Sequence, residues 1–347
     1  APATLGLLAP MSATANEVTI NDFNAAEEIA VTNSRVDGLE SRLNNFEAGS
    51  FSETTSASFG STFYVGSVEN ATAGEAVTFS YDFGMDLSTS FTGEDSLDIA
   101  IIGGDAGTTA VDGYMGGDMA TLSVNGTDVD TPDYLVLDGV SYTFPLGGAT
   151  VIVGDGVGVD DMNTGACAYS AFTDLVSDCG ANNVGGSADS GFAIGYDFDN
   201  GFTLAGGAAG GTSTDGLFTE EDASTIGLEA AYTADTYGVS VAYTDDEATT
   251  YWTVNAMLAP EGYPTISVGY ETDDDDADAI FAGLTFEEVG PGSVSIGMAS
   301  TDTSADDFYQ YELSYSYPLN DGMTITPGVF IAETAGDDET GVVVTTS

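Results

Sequence analysis

The stretch IGLEAAYTADTYGVSVAYT, residues 226–244, shows the pattern that decides the fold of this chain. Side chains of a β-strand point alternately to two faces, so apolar residues at every second position indicate a half-buried strand. The alternation runs twice here, on either side of a short turn at 234–236. The apolar positions are Ile226, Leu228, Ala230 and Tyr232, then Tyr237, Val239, Val241 and Tyr243.

The same period of two continues from Phe51 to the end of the chain, and turn residues divide it into strands. Seven connections are short, at 92–95, 145–148, 199–201, 234–236, 259–263, 290–292 and 318–322. Between them lie eight acidic stretches that we expect to be longer loops, near 66–76, 103–133, 155–189, 210–223, 244–249, 271–278, 300–307 and 333–339. Fifteen connections join sixteen strands.

An even number of antiparallel strands, with short turns at one end and long loops at the other, is typical of outer-membrane barrels. Most segments have about 8 to 11 residues, enough to cross a bilayer when tilted by about 45°. Tyr and Phe gather near strand ends, where an aromatic girdle would lie: Phe192, Phe198, Tyr232, Tyr237, Tyr309 and Tyr317. We therefore predict an all-β fold, a 16-stranded antiparallel transmembrane β-barrel.

A short helical segment is expected before the barrel. Its apolar residues have heptad spacing and could form a coiled-coil seam: Val36, Leu39, Leu43 and Phe46. Residues 5–15, an apolar run followed by a small-x-small site, are similar to the end of a secretory signal. The predicted division is a signal-peptide remnant at 1–15, a periplasmic linker with the coiled-coil helix at 16–50, and the barrel at 51–347.

The charge of the chain excludes several classes of function. There are 57 Asp and Glu against 2 Lys and Arg, no His, and a net charge of −55. Binding nucleic acid needs clustered Lys and Arg, and the only cations are Arg35 and Arg42. Acid-base chemistry by His, imidazole ligation of metals and lysine Schiff bases are equally excluded. We therefore expect no enzyme.

Two cysteines, Cys167 and Cys179, lie twelve residues apart in a stretch rich in Gly, Asp and Asn. An exported protein meets an oxidising compartment, and the chain has no other soft metal ligand, so this pair predicts a disulfide. The alternative is two free thiols in one loop.

The richest acidic stretch, Asp273, Asp274, Asp275, Asp276 and Asp278, is similar in composition to a calcium loop. It does not match an EF-hand, because Ala279 stands where Gly is needed and Thr285 where Glu is needed. We interpret it as a solvated loop that attracts divalent cations diffusely. No specific metal site and no cofactor are expected beyond loosely bound Ca²⁺ or Mg²⁺.

The long loops at 103–133 and 155–189 are the candidate functional elements. A barrel of sixteen strands encloses a wide aqueous channel, so selectivity requires a loop folded into the lumen. Asp155, Asp160 and Asp161 directly follow a strand, and we expect them near the mouth as pore-loop residues. The alternative is that this loop folds outward and its carboxylates only solvate it.

Several stretches, taken in order, resemble cyanobacterial outer-membrane porins of the Som/OprB type: SRVDGLESRL at 34–43, FEAGSF at 46–51, DGVSYTFPLGGATVIVG at 138–154, DDM at 160–162 and DGMTITPGVF at 321–330. The resemblance implies a trimeric porin of the outer membrane, with a periplasmic N-terminus, that transports ions or carbohydrates. Three features depart from it, and the first is that the chain stops at VVVTTS, residues 342–347, where such barrels usually end their last strand with an aromatic residue, so we expect a few residues to be missing. The S-layer-homology domain of that family has no room between residues 15 and 31, and the barrel lacks basic residues for arginine-based solute recognition.

The function predicted from the sequence is passive, cation-preferring diffusion of small hydrophilic solutes and inorganic ions through the barrel. The alternative from another class is a secreted, acidic β-rich surface-layer or fibre subunit bridged by calcium.

Overall fold

The computed structural model describes residues 55–69, 76–104, 135–173, 179–180, 190–210, 217–219, 223–275, 277–302, 307–333 and 338–347. The predicted signal remnant, the linker and the coiled-coil seam lie outside these residues. Sixteen strands are present: β1 (Thr55–Glu69), β2 (Thr78–Thr89), β3 (Ser96–Gly104), β4 (Val136–Leu146), β5 (Ala149–Asp155), β6 (Ser190–Asp197), β7 (Phe202–Gly210), β8 (Ser224–Ala234), β9 (Tyr237–Asp245), β10 (Thr250–Leu258), β11 (Thr265–Asp273), β12 (Asp278–Val289), β13 (Gly292–Asp302), β14 (Asp307–Asn320), β15 (Met323–Ala332) and β16 (Glu339–Thr346).

The strands form one closed antiparallel barrel. Each strand pairs with its neighbours in sequence, and β1 pairs with β16 in a register that places Val65 opposite Val344. The prediction of a 16-stranded antiparallel barrel is confirmed. Within the described part of the chain, no helix is long and apolar enough to span a membrane.

Both ends of the barrel chain lie on the side of the short turns. Thr55, the first residue of β1, pairs with Thr89 at the end of β2, which leads into the turn before β3. At the other terminus, Thr346 pairs with Ile325 near the start of β15. The chain thus enters and leaves the barrel at the same rim.

All seven predicted short turns join consecutive strands, but several connections expected to be long are short. The strand bounds leave four residues each at 246–249, 274–277 and 303–306. In the connection at 246–249 an acidic residue closes a tight turn, because the carboxylate of Asp246 accepts hydrogen bonds from the backbone N–H of Ala248 and Thr249. The predicted alternation of loop lengths therefore holds only in the first half of the barrel.

The two faces of the wall differ in polarity. Side chains on one face are apolar and exposed, such as Leu228 at 57% and Trp252 at 51%. Those on the other face are small or polar and buried, such as Glu229 at 7% and Ser267 at 1%. In a closed barrel these faces are the outside and the inside. An apolar exterior around a polar interior is the arrangement of a barrel surrounded by lipid.

Aromatic rings pack against each other near both rims of the barrel. On the short-turn side, the ring centroids of Phe202 and Tyr232 are 5.7 Å apart, and those of Tyr232 and Tyr237 are 5.9 Å apart. On the opposite side, Tyr243 and Trp252 meet at 4.8 Å. These are the positions at which amphipathic rings contact lipid headgroups.

The hairpin at Gly201 allows a test of turn packing. Gly201 has a φ of +87°, and an added Cβ would collide with the carbonyl oxygen of Thr233. Gly93 has nearly the same φ, +88°, but open space around it. We expect Gly201→Ala to lower the free energy of unfolding more than Gly93→Ala does. Each substitution costs about 1 kcal/mol or more, because alanine is strained at a positive φ. Only at position 201 does the new Cβ also collide with the carbonyl oxygen of Thr233.

The stability of both variants can be measured by urea unfolding in detergent, with the gel mobility of unheated samples as the signal for the folded barrel. Equal losses of stability would show that the contact between the Cβ at position 201 and the carbonyl oxygen of Thr233 does not affect stability.

Candidate functional site

The loop that follows β5 lies inside the barrel. Gly207 of β7 and Gly227 of β8 share the inward face with Glu229, and a Cβ on either glycine would collide with Val159 of the loop. Among the described residues of the loop at 155–189, which are 156–173 and 179–180, the contacts are with the inner wall, as expected for a loop folded into the lumen. The other predicted functional loop, 103–133, lies almost wholly outside the described residues.

Glycines of the inner wall provide the space for this loop. A side chain at each of these positions would overlap or crowd a loop residue, so the loop can approach the wall as closely as the backbone allows. The pairs of wall and loop residues are Gly191 with Val157, Gly195 with Met162, Gly269 with Cys179, Gly283 and Gly297 with Tyr169, and Gly328 with Phe172. They extend from β6 to β15.

A glutamate of β8 holds the first part of the loop. The carboxylate of Glu229 accepts hydrogen bonds from the backbone N–H of Thr164 at 2.7 Å and of Gly165 at 3.2 Å. Farther along, Ser267 of β11 accepts a hydrogen bond from the N–H of Ala168 at 3.1 Å. The wall therefore supplies acceptors for donors that the irregular loop backbone cannot satisfy within itself.

A second glutamate, Glu312 of β14, holds the later part of the loop. It accepts hydrogen bonds from the Tyr169 hydroxyl and from the backbone N–H of Phe172 and Thr173, each at 2.8 Å. The Thr173 hydroxyl also donates to Glu312, and Gln310 donates to that same hydroxyl oxygen. Burial and the negative charge of Glu312 raise the pKa of Tyr169, so its hydroxyl remains protonated and can donate.

Sequence reasoning did not find these two glutamates. Glu229 and Glu312 each occupy an inward-facing position of an alternating strand, among small and uncharged polar side chains. An isolated carboxylate on the polar face of a strand is a signal visible in the sequence. Its partner in the loop is not visible, because Tyr169 and Glu312 are 143 residues apart.

The two cysteines are bonded to each other. Cys167 and Cys179 form a disulfide with a Cα–Cα distance of 5.7 Å. Cys179 is fully buried and packs against Phe281 of β12 and Ala299 of β13 on the inner wall. The disulfide thus joins two parts of the loop at the place where the loop contacts the wall.

The three predicted pore-loop aspartates do not lie together. Asp160 lines a cavity of about 230 Å³ between loop and wall, together with Glu229. Asp161 accepts a hydrogen bond from the N–H of Gly158 at 3.1 Å; partial desolvation and then the charge of Asp160 raise its pKa. Asp155 pairs with Val140 on the outward face of β4 and so points away from the lumen.

Three carboxylates of the predicted cation-attracting loop accept hydrogen bonds from other groups of the protein. Asp273 accepts from the N–H of Asp275 at 2.9 Å, Asp274 from the N–H of Thr250 at 2.9 Å, and Asp278 from the hydroxyl of Tyr270 at 2.7 Å. Asp276 lies outside the described residues. Among the residues that the structure describes, no three His, Cys, Asp or Glu side chains are grouped so that they could hold a metal ion.

Solved structures of bacterial porins are similar to this barrel. OprB of Pseudomonas putida at high pH has a TM-score of 0.63 and 11% identity, over 84% of this chain and 93% of its own. A mutant of Rh. blastica porin has a TM-score of 0.59 and 15% identity, over 84% and 99%. An anion-selective porin from Comamonas acidovorans has a TM-score of 0.59 and 14% identity, over 84% and 98%.

At such low identity these similarities establish the fold alone. This chain has the barrel fold of bacterial porins. No sequence-family profile matches the chain, and no curated protein sequence matches it.

The disulfide gives a chemical test of the loop structure. We expect a non-reduced digest to contain one peptide pair linked through Cys167 and Cys179, detected by mass spectrometry, and the same digest to release both peptides after reduction. Closing a loop of this size stabilises the folded state by about 3 kcal/mol in the chain-entropy description. Two free thiols in protein isolated without reductant would contradict the loop structure.

Proposed function

We propose that this protein is an outer-membrane porin, a passive channel that prefers cations and admits small hydrophilic solutes and inorganic ions. The observation that carries the proposal is the loop held against the inner wall of a closed barrel by Glu229 and Glu312. A loop inside a wide polar lumen narrows it, which suits a diffusion channel.

The preference for cations follows from the charges available to the lumen. Both basic residues, Arg35 and Arg42, precede the barrel, so every ionised side chain from residue 51 onward is negative. Carboxylates around a pore favour cations. The Comamonas acidovorans porin has a similar fold and is described as anion-selective, so the fold by itself does not imply a preference for cations.

Several finer features are part of the same proposal. Membership of the cyanobacterial Som type, a trimeric assembly, transport of ions or carbohydrates and a periplasmic N-terminus rest on the sequence resemblance. A role without catalysis rests on the absence of His and Lys from the chain. Loosely bound Ca²⁺ or Mg²⁺ would be attracted by the exposed carboxylates of the loops.

The alternative of a calcium-bridged surface-layer or fibre subunit is less consistent with the barrel. Such a subunit has no need for a closed wall with an outer band of exposed apolar side chains, such as Leu228 and Val254. A porin requires detergent for extraction and forms a heat-modifiable band. A surface-layer subunit would be released by a chelator instead.

Selectivity measurements in planar bilayers test the proposed function. We expect reversal potentials under a salt gradient to show cation preference near 0.1 M salt that weakens near 1 M, because the Debye length falls from about 10 Å to about 3 Å. Anion selectivity at low salt would overturn the electrostatic argument.

A matched pair of variants tests the assignment to the loop. The double variant Asp160→Asn/Asp161→Asn should reduce the cation preference, because both carboxylates belong to the infolded loop. Asp155→Asn removes the same kind of charge from the outward face and should leave the preference unchanged. If the double variant behaves like Asp155→Asn, the loop does not determine selectivity.

A further inference from the structure

We propose that Glu312 is a positioning residue that sets the width of the channel by anchoring the far part of the infolded loop to the wall. In this role its carboxylate acts as a hydrogen-bond acceptor for the loop and does not act as a site for the permeating ion. The inference rests on the proposed function as a diffusion channel.

The hydrogen bonds of Glu312 use its full acceptor capacity. One carboxylate oxygen accepts from the Tyr169 hydroxyl and the N–H of Phe172, and the other accepts from the N–H and the hydroxyl of Thr173. An ionised carboxylate offers about four lone-pair positions, and these four donors occupy them. The side chain is only 3% exposed, so it presents almost no surface to an ion in the lumen.

Counted in chain order from β5, the loop segment held by Glu312 reaches later strands of the wall than the other described parts of the loop do. The loop leaves the wall at the end of β5, whereas Glu312 belongs to β14. Next to it, the ring of Phe172 covers Gly328 of β15, and Tyr169 covers Gly283 and Gly297. The other carboxylate anchor, Glu229, binds Thr164 and Gly165, nearer to the start of the loop.

The position of the segment Tyr169–Thr173 therefore depends on Glu312. Gln310, fully buried on the same face of β14, strengthens this attachment by donating to the hydroxyl oxygen of Thr173. When the carboxylate is lost, backbone donors of Phe172 and Thr173 lose their acceptor, and water in the lumen becomes their best alternative partner. The segment would then move away from the wall, and the free cross-section of the channel would change.

The variant Glu312→Gln tests the anchor with little change in volume. The amide oxygen of Gln can accept about two of the four hydrogen bonds, and its NH₂ group would face N–H donors of the loop. Hydrogen bonds to charged groups are the strong ones, so we expect single channels of this variant to spend roughly tenfold more time in altered conductance states. Liposome swelling with sugars of increasing size should show a changed size limit.

Two further variants separate anchoring from charge. Thr173→Val removes a hydroxyl donor to Glu312 without changing any charge, and we expect it to alter conductance states and size limit in the same direction. Asp82→Asn is the matched control, because Asp82 of β2 also accepts from a tyrosine hydroxyl, Tyr64, and a backbone N–H, Thr62, but both donors belong to the wall strand β1. We expect it to leave the conductance states and the size limit unchanged.

The outcomes distinguish the two proposals. A wild-type barrel that forms no channel would overturn the proposed function. A wild-type barrel that conducts, with Glu312→Gln and Thr173→Val retaining its size limit and conductance states, would overturn the anchoring role alone. A change of cation preference in Glu312→Gln with no change of size limit would likewise overturn it. If Glu312→Gln yields no folded barrel, Thr173→Val decides the matter by the same criteria.

Discussion

Pairing of the first and last strands is the interaction on which the rest of this structure depends. An unpaired N–H or C=O group in the hydrocarbon core of a bilayer costs several kcal/mol, so a sheet can reside there only when it has no edge. The pairing of β1 with β16 removes both edges at once. Closure also gives the alternating strands a defined inside and outside, so that Leu228 faces outward and Glu229 inward from adjacent positions.

The interior of the barrel is shaped by the absence of basic residues. An irregular loop inside a lumen carries backbone donors and acceptors that need partners. In this barrel every charged side chain of the wall is an acceptor, because the strands contain no Lys, Arg or His. The loop accordingly presents hydrogen-bond donors to the wall. They are the backbone N–H groups of Thr164 and Phe172 and the hydroxyls of Tyr169 and Thr173. Inward-facing glycines let the loop come close enough for these bonds.

The large negative charge is thus divided between two kinds of carboxylate. One kind is engaged in hydrogen bonds that shape the chain. Asp95 accepts from the N–H groups of Phe91 and Thr92 at the tip of the β2–β3 hairpin, and Glu312 accepts from the loop. Other carboxylates are exposed to solvent, such as Asp160, and add to the electrostatic field of the loop whatever their partners. Counting acidic residues alone does not separate the two kinds.

The sequence by itself determined the strand number, the seven hairpin turns and the sign of the charge in the barrel, because a period of two, turn residues and residue types are local properties. It did not determine the lengths of the connections after β9, since whether Asp246 closes a tight turn or opens a loop depends on the pairing of the strands around it. Only the tertiary structure decided where the loop lies. Glu312 and Tyr169 meet across 143 residues because closure of the barrel brings β14 alongside a loop that leaves β5. No pattern within either segment encodes that contact.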